Sequence, residues 1–177
     1  MLIKKIRMTE SFGIAEEVKR RAGKKFRSGD WYTNALMNEL QPIQSKNINE
    51  FDTSFIIPGD LVFFLYSAKY PDKYPFWDKH PLSFIVDISP RTGHFTGLNV
   101  HYLNPQYRGG FVRSLINKTG ISNAPKKTIH KYLFSGVMTE LFKVPKSDWV
   151  DVSLLPTEQF VNKLGKKVPK YRVWDSP

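Results

Sequence analysis

The sequence predicts an α+β fold: a small antiparallel sheet curled into an SH3-like, partly open barrel, with helices flanking it and inserted into it. Three observations carry that expectation. Capped helical periodicity fills the N-terminal part, and β-rich runs punctuated by turn signals fill the middle. The 12 Pro and 11 Gly among 177 residues favour short elements joined by turns. Hydrophobic residues at 41% and aromatics at 14% supply enough apolar area to offset the ordering entropy of one domain.

The elements follow in order. From Thr9 or Ser11 to about Ala22 the chain reads as a helix with a hydroxyl cap, acids early and bases late, and Gly23 as its stop. Phe12, Ala15, Val18 and Ala22 form its apolar stripe. A second helix starts after Ser28-Gly29-Asp30 and ends before Pro42, and a polar connector spans 41–54. The runs GDLVFFLYS (59–67), PLSFIVDIS (81–89) and HFTGLNVHYL (94–103) predict three strands of an antiparallel meander. In the third, Leu98, Val100 and Tyr102 are expected on one face, with Asn99, His101 and Leu103 on the other. Pro105 opens a third helix, and residues 125–142 read as a fourth because Ile129, Tyr132, Leu133, Val137 and Leu141 recur near one face. A short strand is expected around Trp149–Val152, and the basic tail ends in an aromatic pair that docks back. The segments at Trp149 and Tyr171 are expected to join the sheet. Residues 1–58 are thus expected as a helical N-terminal extension and residues 59–177 as the α+β domain with a basic tail.

The composition excludes several function classes. There is no Cys, so no disulfide framework, thiolate nucleophile or Cys-containing zinc site exists. No apolar run approaches the ~18 residues of a membrane span, and the N-terminus lacks the apolar core of a signal peptide. The expectation is a product of the cytoplasm that does not enter membranes.

No catalytic or metal constellation stands out, and no cofactor is expected. His80, His94, His101 and His130 fall in no spacing that would aim two of them at one ion. Asp87 and His101 lie on neighbouring strands, so an Asp–His pair across the meander is conceivable, against the plainer reading of a polar outer sheet face. A metal-dependent nuclease built on that pair is the remote alternative. The segment YPFWDKHPLSF (74–84) brackets Phe76, Trp77 and His80 between Pro75 and Pro81. It reads as a rigid, ring-packed loop, or as a protein-docking surface formed by those three residues.

Charge is the strongest compositional signal. The net charge is +11, and eleven bases lie in two acid-free blocks. Lys19, Arg20, Arg21, Lys24, Lys25 and Arg27 form the first; Lys163, Lys166, Lys167, Lys170 and Arg172 form the second. The remaining sixteen bases are balanced by sixteen acids. With Phe26, Tyr171 and Trp174 interleaved, the blocks suit contact with DNA or an acidic partner surface; a merely solvated face is the plainer reading.

Four stretches carry a resemblance. They are GDLVFFLYSAKYPDKYPFWDKHPLSFIVDI, HFTGLNVHYLNPQYRGGFVRSLIN, HKYLFSGVMTELFKVPKSDWVDVSLLPTEQFVNK and the closing YRVWDS. Together, over roughly 59–176, they resemble a family of small virion proteins of tailed, myophage-like bacteriophages, described as structural proteins or DNA-end protectors. The N-terminal 58 residues lie outside the resemblance, and it transfers no catalytic residue. It implies a non-enzymatic virion or assembly protein of the neck, portal or baseplate, part of a symmetric multi-copy assembly with other phage virion proteins. It also implies a virion location after synthesis in the host cytoplasm. The alternative it leaves open is a DNA-binding protein that holds or protects packaged genome ends, with double-stranded DNA as partner.

Overall fold

The computed structural model describes residues 12–40 and 56–177. The cap candidates Thr9 and Ser11 and the connector at 41–54 lie outside the described residues.

Helix α1 (Ile14–Ala22) carries Glu16 and Glu17 in its first turn and Lys19, Arg20 and Arg21 in its last, so its charges complement the helix dipole. Its first amide, Ile14 N–H, donates to Asp148 Oδ1 at 2.9 Å, a cap supplied from 134 residues away. Gly23, at φ +62°, terminates it. Helix α2 (Gly29–Glu39) is capped by Ser28, whose Oγ accepts from Trp31 N–H at 3.2 Å.

Three short antiparallel strands follow in one sheet: β1 (Leu61–Phe63), β3 (Leu82–Ser89) and β4 (His94–Asn99), with the two-residue β2 (Trp77–Asp78) between the first two. Gly93, in the left-handed conformation, closes the tight connection from β3 to β4. Helix α3 (Pro105–Ile116) starts at Pro105 behind an Asn104 cap. Strands β5 (Ile129–Leu133) and β6 (Phe142–Lys143), helix α4 (Trp149–Ser153), strand β7 (Phe160–Val161) and helix α5 (Lys170–Trp174) complete the chain.

The main sheet has the order β5-β4-β3-β1-β6, all antiparallel, and β2 pairs separately with β7. The α+β class with a small antiparallel sheet is therefore observed, but the sheet does not close into a barrel: β5 and β6 are its two open edges.

Side chains alternate across this sheet and bury both faces. On one face Leu61, Phe63, Leu82, Phe84 and Leu98 meet Ala15, Val18, Ala35 and Leu36 of α1 and α2, Val112 of α3 and Trp149 of α4. On the other, Val62, Phe64, Ile85, Phe95 and Tyr132 form an aromatic cluster with Tyr66 and Phe134. Phe64, Tyr66 and Tyr132 meet there edge to face, at centroid distances of 5.0–6.2 Å. A third, smaller cluster joins Tyr102 and Phe160 to Val173 of α5.

Several local expectations are corrected. Residues 125–142 form no α-helix: Ile129–Leu133 pairs as an edge strand with β4, which puts Tyr132 against Phe95. Trp149–Val152 is helical rather than extended, since Trp149 and Val152 then share one face toward the core. The sheet is accordingly extended by β5 and β6, not by the segments at Trp149 and Tyr171. The third strand stops at Asn99 and turns through a 3-10 helix over Val100–Tyr102, so Asn99 and His101 are buried instead of forming an outer polar face.

Candidate nucleic-acid interface

The two basic blocks become two tips, each built by a tight connection. The first tip links α1 to α2. With Gly23 stopping one helix and Ser28 capping the next, residues 24–27 are fastened at both ends. Arg27 stacks over the Trp31 ring at 5.0 Å. Arg21 reaches across to Glu39 at 2.8 Å and ties the two helices together. Lys24 and Lys25 face solvent, and Phe26 between them and Arg27 is 97% exposed.

The second tip follows β7. Asn162 Oδ1 accepts the backbone N–H groups of Leu164 and Lys166 at 3.0 and 3.1 Å, and Gly165 at φ +73° makes the reversal. The chain returns to pair Lys167 with Val161. Lys163, Lys166 and Lys167 surround Leu164, which is 71% exposed.

Four of the eleven sequence-predicted bases have acidic partners: Arg20 with Glu17, Arg21 with Glu39, Lys163 with Asp72 and Lys170 with Glu158. Among the described residues, Lys19, Lys24, Lys25, Arg27, Lys166, Lys167 and Arg172 have no carboxylate within 4.0 Å. The two blocks border a common stretch. A Cβ on Gly29, beside the first tip, would lie 3.4 Å from the Pro156 carbonyl, and two residues later Glu158 takes Lys170 at 3.3 Å.

Between α3, α5 and the 156–158 stretch lies a buried polar network that sequence reasoning missed. Arg108 of α3 is 0% exposed. Its guanidinium donates to the carbonyls of Leu103, Ser153 and His101 and to Glu158 Oε1 at 3.2 Å. Trp174 of α5 lies under that guanidinium at 5.6 Å and donates its indole N–H to the His101 carbonyl. Lys127 Nζ holds the carbonyls of Trp174 and Ser176 at 2.6 and 2.9 Å. The basic tail is thus docked through Trp174, whereas Tyr171, the other ring of its aromatic ending, is exposed. Burial works against ionisation of Glu158, but His101, Arg108 and Lys170 outweigh it and hold the carboxyl below its ordinary range.

Next to it, Asp78 Oδ2 lies 2.8 Å from His101 Nδ1 and accepts from Asn99 Nδ2, while His101 Nε2 lies 3.2 Å from Thr157 Oγ1. Asp78 Oδ1 accepts the backbone N–H groups of His80 and Gln159. Burial opposes the charge on Asp78, yet the His101 ring and these amides lower its pKa. The order carboxylate–imidazole–hydroxyl resembles an acid–base relay. Here all three side chains are buried, and the relay ties β2 to the turn after β4 and to the 156–158 stretch. The expected partner of His101, Asp87, is exposed: the bulge between Ile85 and Asp87 parts it from the face that Ile85 buries.

His80 is buried, with Nδ1 at 3.0 Å from both Thr33 Oγ1 and the Thr157 carbonyl. Phe76 and Trp77 are half-buried and line a cleft of about 90 Å³ with Tyr66, Tyr74, Tyr102 and Tyr132. Among the described residues, no group of three or more His, Asp or Glu side chains is placed to hold a metal ion, and no helix is long and apolar enough to cross a membrane.

Over residues 3–177 the sequence matches the family described as phage T4 terminal DNA protecting protein. The chain belongs to that family. Comparison with curated proteins and with solved structures found no match. The family match takes in the N-terminal residues that the resemblance left out, and with them the first basic block. It names a phage protein concerned with DNA ends and favours that reading over a neck, portal or baseplate component.

Proposed function

We propose that this protein binds the ends of linear double-stranded phage DNA and covers them, using its two basic tips as the contact surface and making or breaking no covalent bond. The observation that carries this reading is the seven bases of the two blocks without acidic partners among the described residues, five of which, Lys24, Lys25, Arg27, Lys166 and Lys167, lie at connections whose backbones are held by caps and turns. Cations left free in this way replace condensed counterions along a phosphate backbone, and the released ions drive association. The family's description supplies the substrate: terminal DNA. Arg108 and Glu158 hold α5, which carries Lys170 and Arg172 of the second block, to the 156–158 stretch.

The test is binding of purified protein to linear duplex DNA across a salt series. Affinity is expected to fall steeply as salt rises. Combined alanine substitution of Lys24, Lys25, Lys166 and Lys167 should lower the log–log salt slope by about one for each phosphate that is no longer neutralised. Bound protein should also slow digestion of the duplex by an exonuclease, and the fourfold variant should not. Absence of binding at low salt would end this reading.

A further inference from the structure

The two tips share a feature that cation contact does not need. Each carries a strongly exposed apolar side chain, Phe26 at 97% and Leu164 at 71%, flanked in sequence by three cations. An apolar group so placed is unfavourable in water, and the fold gives it no retreat. The Gly23 stop and the Ser28 cap fix the first tip, and the two Asn162 hydrogen bonds fix the second. Apolar wedges flanked by Lys and Arg are how many DNA-binding proteins enter a base stack, with cations on the phosphates and the wedge against the bases. The interior of a duplex offers a wedge no free base face unless a step is unstacked, at a cost of a few kcal/mol. An end offers one already bare.

We propose that Phe26 stacks on the outer face of the terminal base pair while Lys24, Lys25 and Arg27 contact the last phosphates, so that the first tip reads the end of a duplex as distinct from its interior. The inference rests on the DNA-end reading and adds the means by which an end is told apart. An aromatic ring suits this place because every base pair presents a π face, so recognition is independent of sequence. Leu164 occupies the equivalent point on the second tip but lacks a ring, which makes it a secondary wedge beside the phosphates held by Lys166 and Lys167.

The deciding experiment compares two DNAs of the same sequence, a blunt linear duplex and one closed at both ends by hairpin loops. Wild-type protein should prefer the blunt duplex by about tenfold, the scale of one base–aromatic stack. Phe26→Ala should lose that preference while its affinity for the closed duplex and its melting temperature stay unchanged, and Phe26→Trp should restore it. Leu164→Ala should reduce the preference by less. A fluorescent base analogue at the terminal position should be quenched by wild type and not by Phe26→Ala. If wild type prefers ends and Phe26→Ala does so equally, the inference is overturned and the DNA-end reading survives. If wild type binds neither DNA at low salt, both fall.

Discussion

Arg108 and Lys24 carry the same charge and do opposite things. The Arg108 guanidinium is buried and four of its five N–H donors are spent on three backbone carbonyls and Glu158, so it is closed to a phosphate. Lys24, with Lys25, Lys166 and Lys167, stands in solvent without an acidic partner among the described residues. A net charge of +11 therefore does not measure a binding surface. What matters is which cations the fold has left uncommitted: five of them sit on the two connections, while the interior holds Arg108, which stitches elements together.

Several measurements sharpen that contrast. The largest effect is expected from Arg108→Met, which leaves Glu158 buried with a single cation, Lys170. Removing one partner of a buried pair costs about 3–5 kcal/mol, to be read from the urea midpoint. Asp78→Asn should come next, at about 2–3 kcal/mol, because His101, Asn99 and two backbone amides lose a charged acceptor.

The same interior sets the response to acid. Burial lowers the pKa of His80 and of His130 from the ordinary 6.5, with Asp78 opposing that shift in each. Below 6.5 the unfolded chain takes up protons that these folded rings refuse, so stability should fall as pH drops through that value. Asp78, whose folded pKa is lowered from 3.8, adds a second decline beginning near that pH and continuing to its folded pKa. Urea titrations across pH should show both steps, and Asp78→Asn should diminish the lower one.

Gly136→Ala should cost about 1–3 kcal/mol, since a Cβ there would lie 2.6 Å from the Tyr66 ring and 2.7 Å from the Ser67 carbonyl. The smallest change is expected at the tips. Phe26→Ala and Leu164→Ala should each shift stability by no more than about 0.5 kcal/mol in thermal melts. A tip variant that unfolds the protein, or an Arg108 variant that keeps full stability, would break the distinction.

The sequence made α1, α2, α3 and the β1–β3–β4 meander legible because each has a local signal: a cap, a stop, a proline or a β-rich run. The strand at Ile129–Leu133 was not legible. Its apolar residues fit helical spacing equally well, and pairing with β4 decides the matter. The helix at Trp149–Ser153 reads as a strand for the converse reason, since five residues are too few to establish a period. The basic blocks are visible as plain charge, but the exposure of Phe26 and Leu164 depends on where the turns point them. The pairs Asp78–His101 and Arg108–Glu158 span 23 and 50 residues, and no local pattern announces a buried guanidinium or imidazole.

Enclosure of Arg108 with Glu158 has a practical side. Dissolved ions cannot come between two groups that are shut away from solvent, whereas they crowd freely around lysines on a protruding turn. Concentrated potassium chloride should therefore elute the protein from a phosphate-bearing resin with its melting temperature nearly unmoved. Dialysis should then return it ready to bind again.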